Sequence, residues 1–233
     1  MSGMATTVLA MALAAVAGYL LGSVNWSIIL TWFFKNKEDI RKYGSGNAGM
    51  TNVLRSVGKV PAALTFAGDF LKCVAAVLLS QAFLALAGQL GAAVTPELYS
   101  VGKYVAGVAC VLGHIFPVFY GFRGGKGVVT SAAMIALTDW RVFLLVLLTF
   151  ALVFIWKRIV SLASVVSAAT YPVYAFLLTF FLSYRRDGAP LWVLLFVTAA
   201  ALFVGVTVLV KHRSNIGRLL RGEEKPVIFG KKK

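Results

Sequence analysis

Charged residues are scarce in this chain of 233 residues, and acidic residues are the scarcest. Only 13% of the residues are charged, with 8 acids against 23 lysines and arginines. A soluble domain usually carries about a quarter charged residues. The chain is instead 60% hydrophobic, and its apolar runs reach the roughly 20 residues that cross a bilayer. This composition excludes an ordinary soluble domain and predicts an all-α, polytopic integral membrane protein.

Cysteines and acidic residues are both scarce, and this limits disulfide and metal chemistry. The two cysteines, Cys73 and Cys110, both lie in apolar segments, so neither a disulfide nor a metal pair is predicted. Eight scattered acids offer no convincing magnesium cluster, and we expect no metal and no cofactor. No soluble basic domain is present to dock on a duplex. The net charge of +15 therefore indicates basic loops beside anionic lipid, not nucleic-acid binding.

Seven apolar segments are interpreted as membrane spans. They cover 4–34, 61–88, 101–120, 128–138, 141–156, 162–183 and 190–210. Segments 128–138 and 141–156 look too short to span comfortably, so the alternatives are seven transmembrane helices or five plus a re-entrant hairpin. Gly18 and Gly22 predict close helix packing in the first span. No linker long enough to divide the chain is visible, which predicts a single domain over 1–233.

Most lysines and arginines fall in loops of one face. The positive-inside rule then predicts an outside N-terminus and a cytoplasmic C-terminus. Within the second span, Asp69 and Lys72 are neighbours on one helix face. A charge at this depth costs roughly 3 kcal/mol, so we expect these two side chains to pair with each other.

Three polar segments interrupt the apolar runs, and each joins glycine or asparagine to fixed positive charge. We name them island 1 (44–55), island 2 (113–130) and island 3 (212–224). Flexible main-chain amides and nearby cations both favour an anion, so a phosphorylated substrate on the cytoplasmic side is predicted. A transporter for a phosphate ester is the alternative, although it would need broken or polar helices near mid-membrane in two related halves.

Island 1 matches the dinucleotide-binding pattern G-x-G-x-x-G in letters but not in context. Its glycines are Gly44, Gly46 and Gly49. The preceding residues 37–43 are charged and do not predict a strand. We interpret the island as an irregular loop whose amides converge, with neutral donors and one forked cation suited to phosphate. These candidates are Ser45, Asn47, Asn52 and Arg55.

Island 2 resembles a P-loop without its spacing. Tyr120 stands where the first glycine belongs, and Gly127 stands where Ser or Thr would ligate magnesium, so ATP is not predicted. What remains is a glycine-rich anion site with Lys126 as a point charge. At an effective dielectric near 20, a charge pair about 4 Å apart is worth about 4 kcal/mol before desolvation.

Island 3 places His212 and Asn215 one helical turn apart, and Arg218 continues the same face. His212 could serve as a base, a phosphate donor or a headgroup contact. Ser161 and Ser164 follow a basic pair in the sequence. They are candidates for extra hydroxyl contacts, or equally small packing residues.

Together the islands resemble the motifs of the membrane acyl-phosphate:glycerol-3-phosphate acyltransferase family, known as PlsY. Those motifs run approximately GSGNxGAxNxxR, GHxxPxFxxFxGGKGVAT and HxxNIxRLxxGxE. Island 1 departs only at Met50 and island 2 only at Val129, where the family has alanine, and island 3 matches fully. Asn25 and Cys73 are further departures, at positions where the family often has proline and glycine.

The resemblance implies transfer of a fatty acyl group from acyl phosphate to the 1-hydroxyl of sn-glycerol 3-phosphate, the first acylation of bacterial phospholipid synthesis. It implies a multi-pass protein of the bacterial inner membrane with its active site on the cytoplasmic face, and no obligate protein partner is inferred. The residues implied to contact the phosphates during catalysis are Ser45, Arg55, Lys126, His212 and Asn215. The residues implied to bind substrate around them are Gly44, Gly46, Asn47, Asn52, His114, Gly124, Gly125, Gly127, Ser161, Ser164 and Arg218.

This chemistry agrees with the residues present. Acyl phosphate is already activated, so orientation of the hydroxyl and stabilisation of the leaving phosphate suffice, and no metal is required. The hydroxyl proton is expected to pass to the substrate's own phosphate while His212 orients it; His212 as general base is the alternative. Acyltransferases that use acyl-CoA or acyl carrier protein carry H-x-x-x-x-D. Here Phe119 and Gly217 stand at its last position, which disfavours that class.

Overall fold

Ten α-helices form the part of the chain that a computed structural model describes, residues 2–224 and 226. They are α1 (Gly3–Ser23), α2 (Trp26–Phe34), α3 (Met50–Ser56), α4 (Lys59–Gln89), α5 (Pro96–Ile115), α6 (Val128–Thr138), α7 (Trp140–Lys157), α8 (Val160–Leu178), α9 (Leu191–Lys211) and α10 (Arg213–Leu220). Two 3₁₀ turns, Ile40–Lys42 and Val118–Tyr120, and a π-helical segment, Thr179–Arg186, accompany them. No β-strand occurs among these described residues, so the all-α prediction is confirmed.

The first predicted span is two helices, not one. The expected segment 4–34 breaks between α1 and α2 at Asn25. The Asn25 side chain accepts hydrogen bonds from the Ile28 main-chain N–H over 3.2 Å and from the Ser27 hydroxyl over 2.6 Å. An asparagine that accepts from the N–H three residues ahead starts a new helix. Hydrophobicity alone could not locate this break, because both sides of it are equally apolar.

Six helical stretches among the described residues are long and apolar enough to cross a membrane, judged by length and composition. They are Gly3–Phe34, Lys59–Gln89, Pro96–Tyr120, Trp140–Lys157, Val160–Arg186 and Leu191–Lys211. The expectation that 141–156 is too short was wrong, because the helix there has 18 residues. α6, with 11 residues, is the short one. The count of seven spans and the orientation of the termini stay predictions.

The outer surfaces of these helices are apolar. α7 buries only Val142 of its 18 residues, and Ile155 and Trp156 on the same helix are each 74% exposed. Such continuous apolar surface is costly in water and suits hydrocarbon. A helix satisfies its own backbone hydrogen bonds, so it can present that surface to lipid.

The chain divides into two compact units, a first unit up to Thr138 and a second unit from Asp139 onward. In the first unit α1 packs closely against α5. A Cβ atom at Gly18 would lie 3.2 Å from the Ala106 Cα, and one at Gly22 would lie 2.8 Å from the Cys110 Cα. The predicted close packing through these glycines is confirmed. The prediction of one domain over 1–233 stays a prediction.

Candidate active site

Island 1, in the first unit, rests on a small apolar cluster. The buried members of this cluster are Ile28, Ile40, Ala48, Val53 and Ala62. Ile28 comes from α2, Val53 from α3 and Ala62 from α4. Because these side chains leave water together, they hold the irregular loop against three helices. The polar groups of the island are thereby presented from a fixed base.

Asn52 folds the loop from the inside. It is 3% exposed, and its Nδ2 donates to the carbonyls of Tyr43 (2.9 Å), Asn47 (3.1 Å) and Ile40 (3.2 Å). Its Oδ1 accepts from the main-chain N–H of Ser45 over 3.1 Å. Both amide N–H groups of Asn52 are therefore occupied inside the protein. Asn52 therefore shapes the loop, and its predicted role in binding substrate stays a prediction.

Among the groups that island 1 leaves available are the Ser45 hydroxyl and the Arg55 guanidinium. Both residues are exposed, and within residues 2–224 no hydrogen bond or ion pair holds the Ser45 hydroxyl or the Arg55 guanidinium. Gly44 adopts φ +54°, a left-handed conformation that permits the turn beside Asn52. Arg55, at the end of α3, has no partner among the described residues, and such a cation is suited to an external anion.

Islands 1 and 2 meet at Gly125. Its main-chain N–H donates to the His114 carbonyl over 3.1 Å, and the Gly124 N–H donates to the Ile115 carbonyl over 3.2 Å. These bonds fold the glycine loop back onto the end of α5. A Cβ on Gly125 would collide with His114 Nε2 and lie 2.5 Å from the Ala48 carbonyl oxygen. Only glycine therefore allows this contact.

Lys126 stands between this junction and α6. Its side chain is half-buried, and Gly127, at φ +83°, turns the chain into the helix that begins at Val128. The first amides of a helix lack partners within the helix and carry partial positive charge. Combined with a lysine, this end of the loop has the charge and the donors that an anion requires.

Arg41, which the sequence did not single out, ties island 2 to the chain before island 1. Its Nη1 donates to the carbonyls of Tyr120 (2.8 Å) and Arg123 (3.1 Å). Its Nε and Nη2 donate to Asp39, with a shortest distance of 2.7 Å. Burial acts to raise the pKa of Asp39, but the hydrogen bonds and charge of Arg41 outweigh it and lower that pKa. The only sequence signal was an acid and a base two residues apart.

Below the glycine loop lies a buried cluster of ionisable side chains. The expected Asp69–Lys72 pair is confirmed, with Nζ and Oδ1 2.7 Å apart. The pairing extends further than the sequence indicated. Lys72 Nζ also lies 2.8 Å from the Val24 carbonyl and 3.0 Å from His114 Nδ1. His114 was not predicted to join this cluster, since 42 residues separate it from Lys72.

Island 3, in the second unit, is organised by Glu224. Its Oε1 accepts from the Ser161 hydroxyl and from Asn215 Nδ2, both over 2.7 Å, and its Oε2 accepts from Arg218 Nε over 2.6 Å. Burial acts to raise the pKa of Glu224, but hydrogen bonds from Arg218, Ser161 and Asn215 lower it below its ordinary value. Sequence reasoning matched Glu224 to a motif but assigned it no role.

His212 is 2% exposed, and its Nδ1 lies 2.8 Å from the Val208 carbonyl. A carbonyl only accepts, so Nδ1 carries the hydrogen. In the neutral ring, Nε2 is then the atom that can accept a proton. The Ser164 hydroxyl donates to the Val160 carbonyl of its own helix over 2.9 Å. Both alternatives for Ser164, a substrate contact and a packing residue, stay predictions.

Comparison with known proteins decides the family. The family described as glycerol-3-phosphate acyltransferase matches residues 12–222. The chain belongs to this family. Among its relatives, the glycerol-3-phosphate acyltransferase of Nitrosomonas eutropha is 37% identical over 208 residues, covering 89% of this chain and 92% of the relative. That of Clostridioides difficile is 39% identical over 219 residues, covering 94% of this chain and 95% of the relative.

Solved structures of PlsY (YgiH), described as an integral membrane glycerol 3-phosphate acyltransferase, also resemble this family member. The glycerol 3-phosphate form aligns with a TM-score of 0.71 at 34% identity and covers 94% of this chain and 96% of PlsY. The lysophosphatidic acid form aligns with a TM-score of 0.70 at 33% identity, covering 94% and 95%. The resemblance to the PlsY family is confirmed. The roles of individual residues stay predictions.

Proposed function

We infer that this member of the glycerol-3-phosphate acyltransferase family transfers a fatty acyl group to glycerol 3-phosphate, giving 1-acylglycerol 3-phosphate (lysophosphatidic acid). Similarity to PlsY, whose solved forms are named for glycerol 3-phosphate and for lysophosphatidic acid, supports this. The observation in this chain that carries the proposal is the Gly125 junction. There Lys126 stands beside the N-terminus of α6, whose first amides have no partners within the helix, and these groups together suit a phosphate.

The proposed acyl donor is acyl phosphate. The substrate hydroxyl oxygen forms a bond to the acyl carbon, the bond from that carbon to the phosphate oxygen breaks, and inorganic phosphate leaves. Lys126 and Arg55 are proposed to stabilise the negative charge on phosphate groups, with Ser45 donating from its exposed hydroxyl. Phosphate is a good leaving group, so fixed donors and cations supply what the step needs.

The hydroxyl proton is proposed to pass to the substrate's own phosphate. His212 orients the hydroxyl in this scheme, and its Nε2 can accept the hydroxyl hydrogen bond because Nδ1 donates to Val208. The variant His212→Gln tests the scheme, since glutamine can still hydrogen-bond but cannot act as a base at neutral pH. Substantial turnover by this variant supports the substrate as base. Loss of turnover with unchanged glycerol 3-phosphate binding assigns the proton transfer to His212.

The decisive assay uses purified protein and radiolabelled glycerol 3-phosphate with palmitoyl phosphate, palmitoyl-CoA or palmitoyl carrier protein. Lysophosphatidic acid should form with palmitoyl phosphate alone. Product from either other donor would refute the donor assignment, and the lack of product from all three would refute the acyltransferase itself. Lys126→Gln should lose activity, whereas Lys103→Gln on α5 removes the same charge and should retain it.

The proposed location is the bacterial inner membrane, with the N-terminus outside and islands 1 to 3 facing the cytoplasm. Lys37 follows α2 and Ala93 follows α4, so the second predicted span separates them in sequence, and both are exposed. A maleimide that cannot cross membranes should label Ala93→Cys in intact cells, but Lys37→Cys only after permeabilisation. The reverse pattern would overturn the orientation.

A further inference from the structure

The three ionisable side chains beneath the glycine loop are almost completely removed from solvent. Asp69 is 2% exposed, Lys72 is 6% exposed and His114 is 4% exposed. Isolated charges in such surroundings are expensive, so groups of this kind pair with one another or serve a function. Neither Asp69 nor Lys72 has a place in the acyl-transfer scheme above, although both lie close to the loop that it uses.

The contacts of Lys72 determine which nitrogen of His114 carries its hydrogen. An ammonium group has three N–H donors and no acceptor. Lys72 Nζ has three neighbours within hydrogen-bond distance: Asp69 Oδ1, the Val24 carbonyl oxygen and His114 Nδ1. The first two can only accept, and a charged lysine can only donate to the third. His114 Nδ1 also lies 3.5 Å from Asp69 Oδ1, but the contact with Lys72 Nζ is shorter, at 3.0 Å, and a hydrogen on Nδ1 would point a second donor at the ammonium. His114 Nδ1 must therefore be the unprotonated nitrogen.

Charge balance leads to the same assignment. The Asp69 carboxylate and the Lys72 ammonium compensate each other, so a neutral His114 leaves the cluster without net charge. A protonated ring would place an additional positive charge next to a buried ammonium, with one carboxylate shared between two cations. Such an arrangement is unfavourable, because a third ion would be removed from water without a counter-charge of its own. The favoured ring is neutral, with its hydrogen on Nε2.

That Nε2–H faces the glycine loop. A Cβ on Gly125 would meet both His114 Nε2 and the Ala48 carbonyl oxygen, so the ring nitrogen lies at the place where islands 1 and 2 touch. The main chain on either side is fixed there as well, because Gly125 and Gly124 donate to carbonyls at the end of α5. The orientation of this ring therefore bears directly on the geometry of the loop.

We propose that Asp69 and Lys72 are positioning residues that hold His114 as the Nε2–H tautomer and thereby present a fixed donor to the Ala48–Gly125 junction. Lys72 is the group that orients the ring, and Asp69 holds Lys72 in place through their ion pair. The tautomer follows from the contacts of Lys72 and from the charge balance of the cluster, and it does not depend on the proposed function. Its consequence for substrate rests on the proposed function, in which this loop binds a phosphate.

Nitrogen-15 NMR of protein labelled at histidine tests the tautomer without any assay of activity. The chain contains 2 histidines, so His212→Gln assigns the remaining ring signals to His114. We expect a hydrogen-bearing Nε2 and an unprotonated Nδ1 at neutral pH. Lys72→Met should shift the ring away from this single state, whereas Lys72→Arg should largely preserve it. Thr65→Val is the matched control, because Thr65 is equally buried on α4 but bonds only to Pro61 of its own helix.

An unprotonated Nε2 or a doubly protonated ring in the wild type would overturn the proposal, and this reading does not depend on whether the variants fold. An unchanged ring in a folded Lys72→Met variant would also overturn it. In the kinetic test, Lys72→Met should raise the KM for glycerol 3-phosphate roughly tenfold, the factor for one lost hydrogen bond to a charged group. Thr65→Val should leave KM unchanged. A wild type that shows the expected tautomer but makes no product would refute the proposed function and leave the tautomer assignment standing.

Discussion

Arg41 Nη1 donates to the main-chain carbonyl of Tyr120 over 2.8 Å, although 79 residues separate the two along the chain. This bond and the one to Arg123 hold the start of the glycine loop, while Asp39 fixes the other side of the same guanidinium. One planar guanidinium thus bonds to two carbonyls and one carboxylate, and the single ammonium group of a lysine cannot reproduce this arrangement. The conformation of the glycine loop thus depends on the hydrogen bonds of Arg41 and also on the contact between His114 and Gly125.

Arg41→Lys should therefore impair substrate binding more than stability. We expect the KM for glycerol 3-phosphate to rise about fivefold, because the charge remains but at least one fixed hydrogen bond to the loop is lost. Steady-state kinetics measure this. Arg186→Lys is the matched control, since the Arg186–Asp187 pair is solvent-exposed and such pairs contribute little. Equal KM values for both variants and the wild type would show that Arg41 does not position the loop.

Asn52→Ala should destabilise the first unit. It removes one buried amide that joins four main-chain groups, which we expect to cost about 2 kcal/mol or more. Hydrogen exchange should accelerate at the amides of residues 43–52. Asn52→Asp keeps the shape but turns a second oxygen towards three carbonyls, so it should be at least as damaging. If Asn52→Ala unfolds like the wild type and loses only activity, Asn52 contacts substrate as first predicted.

Arg55→Gln should show the opposite pattern from Asn52→Ala. The Arg55 guanidinium is exposed and makes no hydrogen bond or ion pair within residues 2–224, so its removal should leave the thermal midpoint nearly unchanged. The KM for glycerol 3-phosphate or for acyl phosphate should rise roughly tenfold or more, because a charged hydrogen bond to phosphate is lost. Lys59→Gln, a neighbouring exposed cation, serves as the control. A lower midpoint with normal KM values would make Arg55 structural.

Gly125→Ala should abolish most activity while the protein stays folded. The added methyl group would collide with the ring of His114 and approach the Ala48 carbonyl to 2.5 Å, so the loop must move. A displacement of about 1 Å near reacting groups can cost on the order of a hundredfold in rate. Gly88→Ala is the control, because a Cβ there meets nothing within 4 Å. Wild-type kcat in Gly125→Ala would contradict the tight junction.

Glu224 should make stability depend on pH. Its folded-state pKa lies below the ordinary value of 4.5, so its stabilisation is complete above the unfolded-state value and disappears as the pH falls through the folded-state value. Glu224→Gln should lower the free energy of unfolding by about 1 kcal/mol near neutral pH, a figure reduced because Arg218 is partly exposed. The thermal midpoint of this variant should also fall less steeply than that of the wild type as the pH decreases. Thermal midpoints measured from pH 7 to pH 3 would show this.

Glu223→Gln provides the control for that experiment. Glu223 pairs only with the exposed Arg221 among the described residues, so its removal changes the net charge equally without breaking a buried network. Superimposable pH profiles for Glu224→Gln and the wild type would indicate that the four-residue network contributes no stability.

Features that depend on neighbours in sequence were predictable. The membrane class follows from apolar length and composition, and the family follows from three motifs whose residues stand close together in the chain. The Asp69–Lys72 pair was predictable for the same reason, since three residues bring two side chains onto one helix face. The break at Asn25 was not, because asparagine caps a helix only when its local backbone turns, and hydrophobicity carries no such signal.

The sequence by itself determined that this protein is a membrane protein, that it carries candidate phosphate-binding groups, and which family it belongs to. Only the tertiary structure decided what those groups do: Asn52 turns inward to shape a loop, Glu224 gathers three donors, and Lys72 orients a ring 42 residues away. Residue types specify which bonds are possible, because donors, acceptors and charges belong to each side chain. Which bonds form is decided by the packing of distant helices, since that alone sets which of these groups lie within 3 Å of one another.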